Sequence, residues 1–148
     1  MSDTTIGIIG GGQLGSMLCS AAKKLNIKSV VICDDIHGPA QFFSDEFIFS
    51  SYDDQTKIEE FCSKVDFVTY EFENIPFSTL SKINEFKKVQ PKPSINRIIQ
   101  NRLSEKDFLN KKNITTTSYI SIRNENELKS SQDFIPGILK TCTLGYDG

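Results

Sequence analysis

Gly10, Gly12 and Gly15 stand in Gly-x-Gly-x-x-Gly spacing, with Gly11, Gln13 and Leu14 between them. That spacing serves the binding of phosphate-bearing ligands. The first glycine permits a tight turn, the second lets a ligand approach the backbone, and the third lets a helix pack closely on a strand. A helix starting at such a loop offers unpaired N–H groups and a partial positive charge to an anion. Asp34 lies about 20 residues further on, where a dinucleotide enzyme binds a ribose hydroxyl. A nicotinamide dehydrogenase is therefore a serious candidate, and glycines that only permit the turn are the structural alternative. Glu71 and Glu73 form a second feature, an acidic pair two residues apart. The third is Lys140 followed by Gly145-Tyr146-Asp147-Gly148, a second glycine-rich string. With one complete ligand loop and the start of another, the chain reads as the front portion of a larger enzyme.

These groups need elements to position them. Residues 6–9 are a short apolar run stopped by glycines, a buried strand entering a turn. Leu14, Met17, Leu18, Ala21, Ala22 and Leu25 then recur at helical spacing and predict one apolar stripe, ended at Asn26. Residues 29–33 are the next strand, completing a βαβ unit and predicting a parallel sheet with right-handed crossovers. The alternation continues with a short strand at 46–50 and a helix capped by Asp53 or Asp54 that carries Ile58, Phe61, Cys62 and Val65. Residues 67–70 are β-branched and aromatic, a third clear strand that runs into Glu71. Strand alternation would put Glu71 and Glu73 on one side at the ligand-binding edge of the sheet. Pro76 suits the first turn of a helix holding Leu80, Ile83 and Phe86, and residues 89–90 are a last strand. The fold class is α/β, a Rossmann-like, open, mostly parallel sheet.

After Pro91 and Pro93 the pattern changes. Residues 94–100, 102–109 and 124–128 read as helices, and 115–122 and 137–140 as strands. We place a boundary near residue 113, giving domains of 1–112 and 113–148. The second segment is too short to bury a core of its own.

Bulk properties exclude other classes. In 148 residues the net charge is -2 and the hydrophobic fraction 38%. Acidic and basic residues are mixed, so no basic stripe points to nucleic acid. Apolar runs are short and interrupted, which predicts neither a signal peptide nor a membrane span. The four cysteines contain no Cys-x-x-Cys pair, so neither a zinc site nor a disulfide framework is expected. Cys19, Cys33 and Cys62 fall in helix or strand patterns and read as buried reduced thiols, which places the protein in the cytoplasm. The lone histidine, His37, reads as a surface residue.

Longer strings discriminate between the ligand classes. Gly-Gly-Gly-Gln-Leu-Gly at 10–15 is followed by Ser16-Met17-Leu18. The third strand continues as Thr69-Tyr70-Glu71-Phe72-Glu73-Asn74-Ile75-Pro76. Gln100-Asn101-Arg102-Leu103-Ser104-Glu105-Lys106-Asp107 then precedes Lys140 and Gly145-Tyr146-Asp147-Gly148. In that order, and over essentially the whole chain, these strings resemble the N5-carboxyaminoimidazole ribonucleotide synthetases of purine biosynthesis, ligases of the ATP-grasp superfamily. The nearest alternative is another ATP-grasp ligase such as the formate-dependent glycinamide ribonucleotide transformylase, whose loop usually carries Glu where Gln13 stands. A NAD(P)-binding dehydrogenase and a non-catalytic nucleotide-binding module are the others.

The resemblance implies a Rossmann-like pre-ATP-grasp domain, then the start of an ATP-grasp domain. Such enzymes use ATP to activate bicarbonate and transfer CO2 to the 5-amino group of 5-aminoimidazole ribonucleotide, and they are typically homodimers. By similarity Gly11, Gly12, Gln13 and Leu14 face the ribonucleotide, whose phosphate suits a helix N-terminus. One of Glu71 and Glu73 contacts it too. Arg102 and Lys140 match cations that reach ATP phosphates, which suits a reaction resting on positioning and charge neutralisation. Gly145 to Gly148 match the loop over ATP, with Tyr146 and Asp147 also touching the imidazole. The chain departs from the pattern at Thr141-Cys142-Thr143-Leu144, where relatives commonly carry Arg or Lys. The Mg2+ ligands of the family have no counterpart in these 148 residues, so no complete catalytic or metal site is expected. The polypeptide alone is expected to be inactive.

Overall fold

The computed structural model describes residues 4–144. Five strands form one parallel sheet in the order β3-β2-β1-β4-β5. They are β1 (Thr5–Ile9), β2 (Lys28–Cys33), β3 (Glu46–Phe49), β4 (Phe67–Tyr70) and β5 (Lys88–Val89). The helices between them are α1 (Gln13–Lys24), α2 (Gln55–Lys64) and α3 (Phe77–Phe86), with a 3-10 turn at Pro39–Phe42 that the sequence reading missed. The first strand lies at the centre, paired to β2 on one side and β4 on the other, with Ile9 opposite both Ile32 and Tyr70. This order reverses direction between β1 and β4, and ligands of open α/β sheets bind at such a reversal.

Helices cover both faces of the sheet, which is why its inner strands read as unbroken apolar runs. One core joins Ile9, Val30, Ile32 and Val68 to Phe61, Leu80 and Ile83. The other joins Ile8, Val31 and Cys33 to Cys19 and Ala40. Gly7 is required in β1 because a Cβ there would lie 2.5 Å from Cζ of the fully buried Phe61. Asp54, rather than Asp53, caps α2 by accepting from the Lys57 N–H at 3.0 Å. Cys19, Cys33 and Cys62 are buried free thiols, and His37 is exposed.

The predicted face of α1 is a correction. Its buried residues are Gly15, Ser16, Cys19 and Ala22, while Leu14, Met17, Leu18, Ala21 and Leu25 are exposed. The 3-10 turn and the sheet approach α1 so closely that only small side chains fit between them.

The compact units divide between Arg97 and Ile98, so the sequence-derived boundary near residue 113 falls inside the second unit. Helix α4 (Pro93–Ile99) runs across the division. The second unit holds α5 (Arg102–Lys111), α6 (Glu125–Lys129) and a 3-10 turn at Gln132–Phe134. Asn101 caps α5 through the Leu103 and Ser104 N–H groups, and neither α5 nor α6 has a buried residue. The strands expected at 115–122 and 137–140 are extended or irregular instead. Segment 115–122 is held to α5 by side chains rather than by a ladder. The Tyr119 hydroxyl donates to Asp107 Oδ1 at 2.6 Å, and Lys106 Nζ donates to Thr117 Oγ1 at 3.1 Å. Among the described residues no helix is long and apolar enough to cross a membrane.

Candidate functional site

The carboxyl ends of β1 and β4 carry the 10–15 loop and Glu71, side by side at the reversal of strand order. Each glycine answers to a different constraint. Gly10 has φ +103°, a left-handed backbone that a side chain would strain. Gly15 begins the buried face of α1, and a Cβ there would stand 2.6 Å from the Gly10 carbonyl oxygen. Gly12, the N-cap, has ordinary dihedrals and open space, apart from Glu71 Oε1 at 3.3 Å from its ideal Cβ. Of the three it is the one where a Cβ would meet the end of a side chain and no backbone. Gly11 is wedged against Cys33 and accepts the Ala40 N–H on its carbonyl at 3.0 Å, so the 3-10 turn buttresses the loop.

Glu71 is a charged group set beside this loop. Its N–H donates to the Ile9 carbonyl at 3.3 Å, and its half-buried carboxyl lies against Gly10 and Gly12. Burial pushes its pKa up, hydrogen bonds from the Gly12 and Gly15 amides pull the other way, and the Glu73 charge raises it further. The net direction is upward. A carboxylate of the chain itself thus faces the α1 amides that would otherwise receive a phosphate. An anionic group could take that seat only by displacing Glu71, whereas a hydroxyl or amine donor could hydrogen-bond to it directly.

Glu73 is placed differently. Strand β4 ends at Tyr70, and Glu73 and Asn74 form a turn, so strand alternation does not align the two carboxylates. Two buried polar groups hold this region from below. Asn96 Nδ2, on α4, donates to the Ile75 carbonyl at 3.1 Å, and Thr79 Oγ1 donates to the Tyr52 carbonyl at 2.7 Å. Asn96 is fully buried and its Oδ1 has no hydrogen-bond partner. The sequence reading missed it, although a lone amide amid Ile95, Ile98 and Ile99 was a visible signal.

Gln13 and Leu14 open α1 with exposed side chains. Arg102 and Lys140 belong to the second unit, and both are exposed. The Arg102 N–H donates to the Cys142 carbonyl at 2.9 Å, which brings the segment after Lys140 to the start of α5. Gly145, Tyr146, Asp147 and Gly148 lie outside the described residues. Among the described residues no group of three or more His, Cys, Asp or Glu could hold a metal ion. A groove of about 450 Å³ follows the sheet edge at β5, lined in part by Asn84, Lys88, Gln90 and Lys92, and shares no residue with the β1–β4 crevice.

Residues 3–100 match the family model described as the ribonucleotide synthetase preATP-grasp domain. The N5-carboxyaminoimidazole ribonucleotide synthase of Brucella melitensis is 39% identical over 147 residues, covering 98% of this chain and 41% of that protein. The enzyme of the same name from Staphylococcus aureus is 35% identical over 146 residues, covering 97% and 39%. Among solved structures, an N5-carboxyaminoimidazole ribonucleotide synthetase in its ADP complex superposes with a TM-score of 0.91 at 35% identity, over 100% of this chain and 40% of that one. The Aspergillus clavatus N5-carboxyaminoimidazole synthase, in complex with ADP and 5-aminoimidazole ribonucleotide, gives 0.84 at 29% identity, over 98% and 40%. The chain spans about two fifths of the length of these two curated relatives.

Proposed function

This chain belongs to the ribonucleotide synthetase preATP-grasp domain family, and from that premise we propose that it serves the ATP-dependent carboxylation of 5-aminoimidazole ribonucleotide with bicarbonate. The observation that carries this reading is the Glu71 carboxyl set against Gly10 and Gly12 at the β1–β4 crevice. The Aspergillus clavatus relative was solved with that ribonucleotide and ADP, which supports the same ligand pair here.

In this proposal the loop receives the hydrogen-bond-donating part of the ribonucleotide. Glu71 accepts from a ribose hydroxyl or the exocyclic amine, and the ligand's phosphate lies away from α1 because the carboxylate already faces those amides. Gly12 gives the ligand its approach, and Gly11, Gln13 and Leu14 line the same side. Glu73 adds negative charge beside Glu71 and so favours a donor over an anion. Fixed acceptors of this kind orient the amine without having to reorganise during reaction. ATP supplies the phosphoryl group that activates bicarbonate. Arg102 and Lys140, both cations, are assigned to its phosphates, and Gly145, Tyr146, Asp147 and Gly148 are assigned to the same ligand, Tyr146 and Asp147 also to the imidazole. The domain reading of 1–112 and 113–148, a cytoplasmic setting and a homodimer complete the proposal.

The test is an amide NMR titration of the 15N-labelled chain. Adding 5-aminoimidazole ribonucleotide is expected to shift the resonances of Gly10, Gly12, Gly15 and Glu71 saturably, and NADH is expected to leave them in place. Shifts with NADH alone would replace this reading with the dehydrogenase.

A further inference from the structure

We propose that Asn96 is a positioning residue for the ligand crevice, holding the turn after β4 and, through that turn, the Glu71 carboxyl. The inference rests on the carboxylation reading for the identity of the ligand. The link between Asn96 and Glu71 is argued from packing and hydrogen bonds within the first unit, which contains both residues and Ile75.

The segment from Glu71 to Ile75 closes on long backbone bonds. The Glu71 N–H reaches the Ile9 carbonyl at 3.3 Å, and the Ile75 N–H reaches the Phe72 carbonyl at 3.4 Å. The usual distance is ~2.9–3.0 Å, so neither bond fixes the turn firmly. Its far end is held from α4 instead. Ile75 is fully buried, and its carbonyl accepts from Asn96 Nδ2 at 3.1 Å. Asn96 is fully buried too, so solvent offers no substitute for that donor.

The same amide leaves its Oδ1 without a hydrogen-bond partner. A buried acceptor with no donor costs stability, and an apolar side chain of the same branched shape would avoid that cost. Asn96 thus destabilises the core at one atom and fixes the turn with the other. Buried polar groups can act in this way to select one arrangement of the chain. Here the arrangement selected is the course of residues 71–75. At the near end the half-buried Glu71 carboxyl lies against Gly10 and Gly12, and Glu73 within the turn adds its charge. With the Ile75 carbonyl released, the turn relaxes and the Glu71 carboxyl moves off the loop toward solvent.

The test uses the 148-residue chain and its Asn96→Leu and Asn96→Ala variants, the smaller alanine guarding against overpacking. Gly7→Ala is the control, because it strains the same unit at β1. Glu71 is titrated by carboxyl 13C NMR, and 5-aminoimidazole ribonucleotide binding is followed by calorimetry, at a temperature where circular dichroism shows each chain folded. Burial is the main cause that raises the Glu71 pKa, so both Asn96 variants are expected to titrate it closer to the ordinary 4.5. They are also expected to bind the ribonucleotide about tenfold more weakly. Gly7→Ala should match wild type in both measurements. A wild-type Glu71 midpoint or wild-type affinity in the Asn96 variants, or the same changes in Gly7→Ala, would overturn the proposal. A wild-type chain that binds no ribonucleotide would overturn the carboxylation reading instead, and the Glu71 midpoints would still decide the role of Asn96.

Discussion

Replacing Gly15 with alanine separates the architectural glycine of the loop from the one that admits ligand. The new methyl would stand 2.6 Å from the Gly10 carbonyl oxygen, where real Cβ contacts closer than 3.0 Å are essentially never seen. The obstacle is backbone, so α1 and the loop must separate rather than a side chain rotate. Two terms oppose each other. Alanine favours the helical state over glycine by about 1 kcal/mol, while overpacking a tight contact costs about 1–3 kcal/mol. Because the neighbour is backbone and cannot yield, the steric cost falls in the upper part of that range, about 2–3 kcal/mol, leaving a net loss of about 1–2 kcal/mol. For a unit the size of Met1–Arg97 that corresponds to a melting temperature lower by about 4–16 °C. Gly12→Ala is the contrast. Its φ of -70° suits alanine, and the one neighbour is the end of the Glu71 side chain at 3.3 Å. Its stability should stay within about 0.5 kcal/mol of wild type, while affinity for 5-aminoimidazole ribonucleotide falls about tenfold or more because the methyl occupies ligand space. Urea and thermal unfolding followed by circular dichroism give both stabilities. A Gly15→Ala chain as stable as wild type, or a Gly12→Ala chain equally damaged, would refute the assignment of the two roles.

Glu71→Gln should exchange binding for stability in a pH-dependent way. The folded state raises the Glu71 pKa above the ordinary 4.5, so the protonated form stabilises the fold below that pH and the benefit is lost as pH rises through the raised value. A neutral glutamine escapes this loss, and its melting temperature should gain on wild type as pH rises above about 4.5. A difference that is flat with pH would contradict the burial of this carboxyl. Asn96→Ala removes the Nδ2 hydrogen bond to the Ile75 carbonyl in a fully buried site, a loss of about 1–3 kcal/mol measurable by urea unfolding. Gly7→Ala drives a methyl into Phe61 and should cost about 1–3 kcal/mol by the same assay.

The sheet was legible because its strands are β-branched and apolar, stopped by glycines, prolines and a capping aspartate. β1, β2 and β4 fall where those signals place them, and Asp54 resolves the choice of cap. The orientation of α1 was not legible. Hydrophobic periodicity ranks side chains by their apolar character, but the close approach of the 3-10 turn and sheet selects them by size. Ser16 and Cys19 went inward while Leu14 and Met17 stayed out. Residues 115–122 alternate as a strand would, yet a strand needs a ladder partner, and among the described residues the segment is held by side-chain contacts from α5 instead. At the site, the turn at Gly10 and the close packing at Gly15 followed from spacing alone. The seat of the Glu71 carboxyl against the loop did not, because it depends on the β1–β4 adjacency that only the folded order creates.

Calorimetric titration of the wild-type chain and its Glu71→Gln variant, each with 5-aminoimidazole ribonucleotide and with NADH, bears most directly on the claim that this crevice holds a ribonucleotide through the Glu71 carboxylate. The account predicts saturable heat for the ribonucleotide with wild type, at least about tenfold weaker binding to Glu71→Gln, and none for NADH. Binding of NADH to wild type with no heat from the ribonucleotide would contradict it.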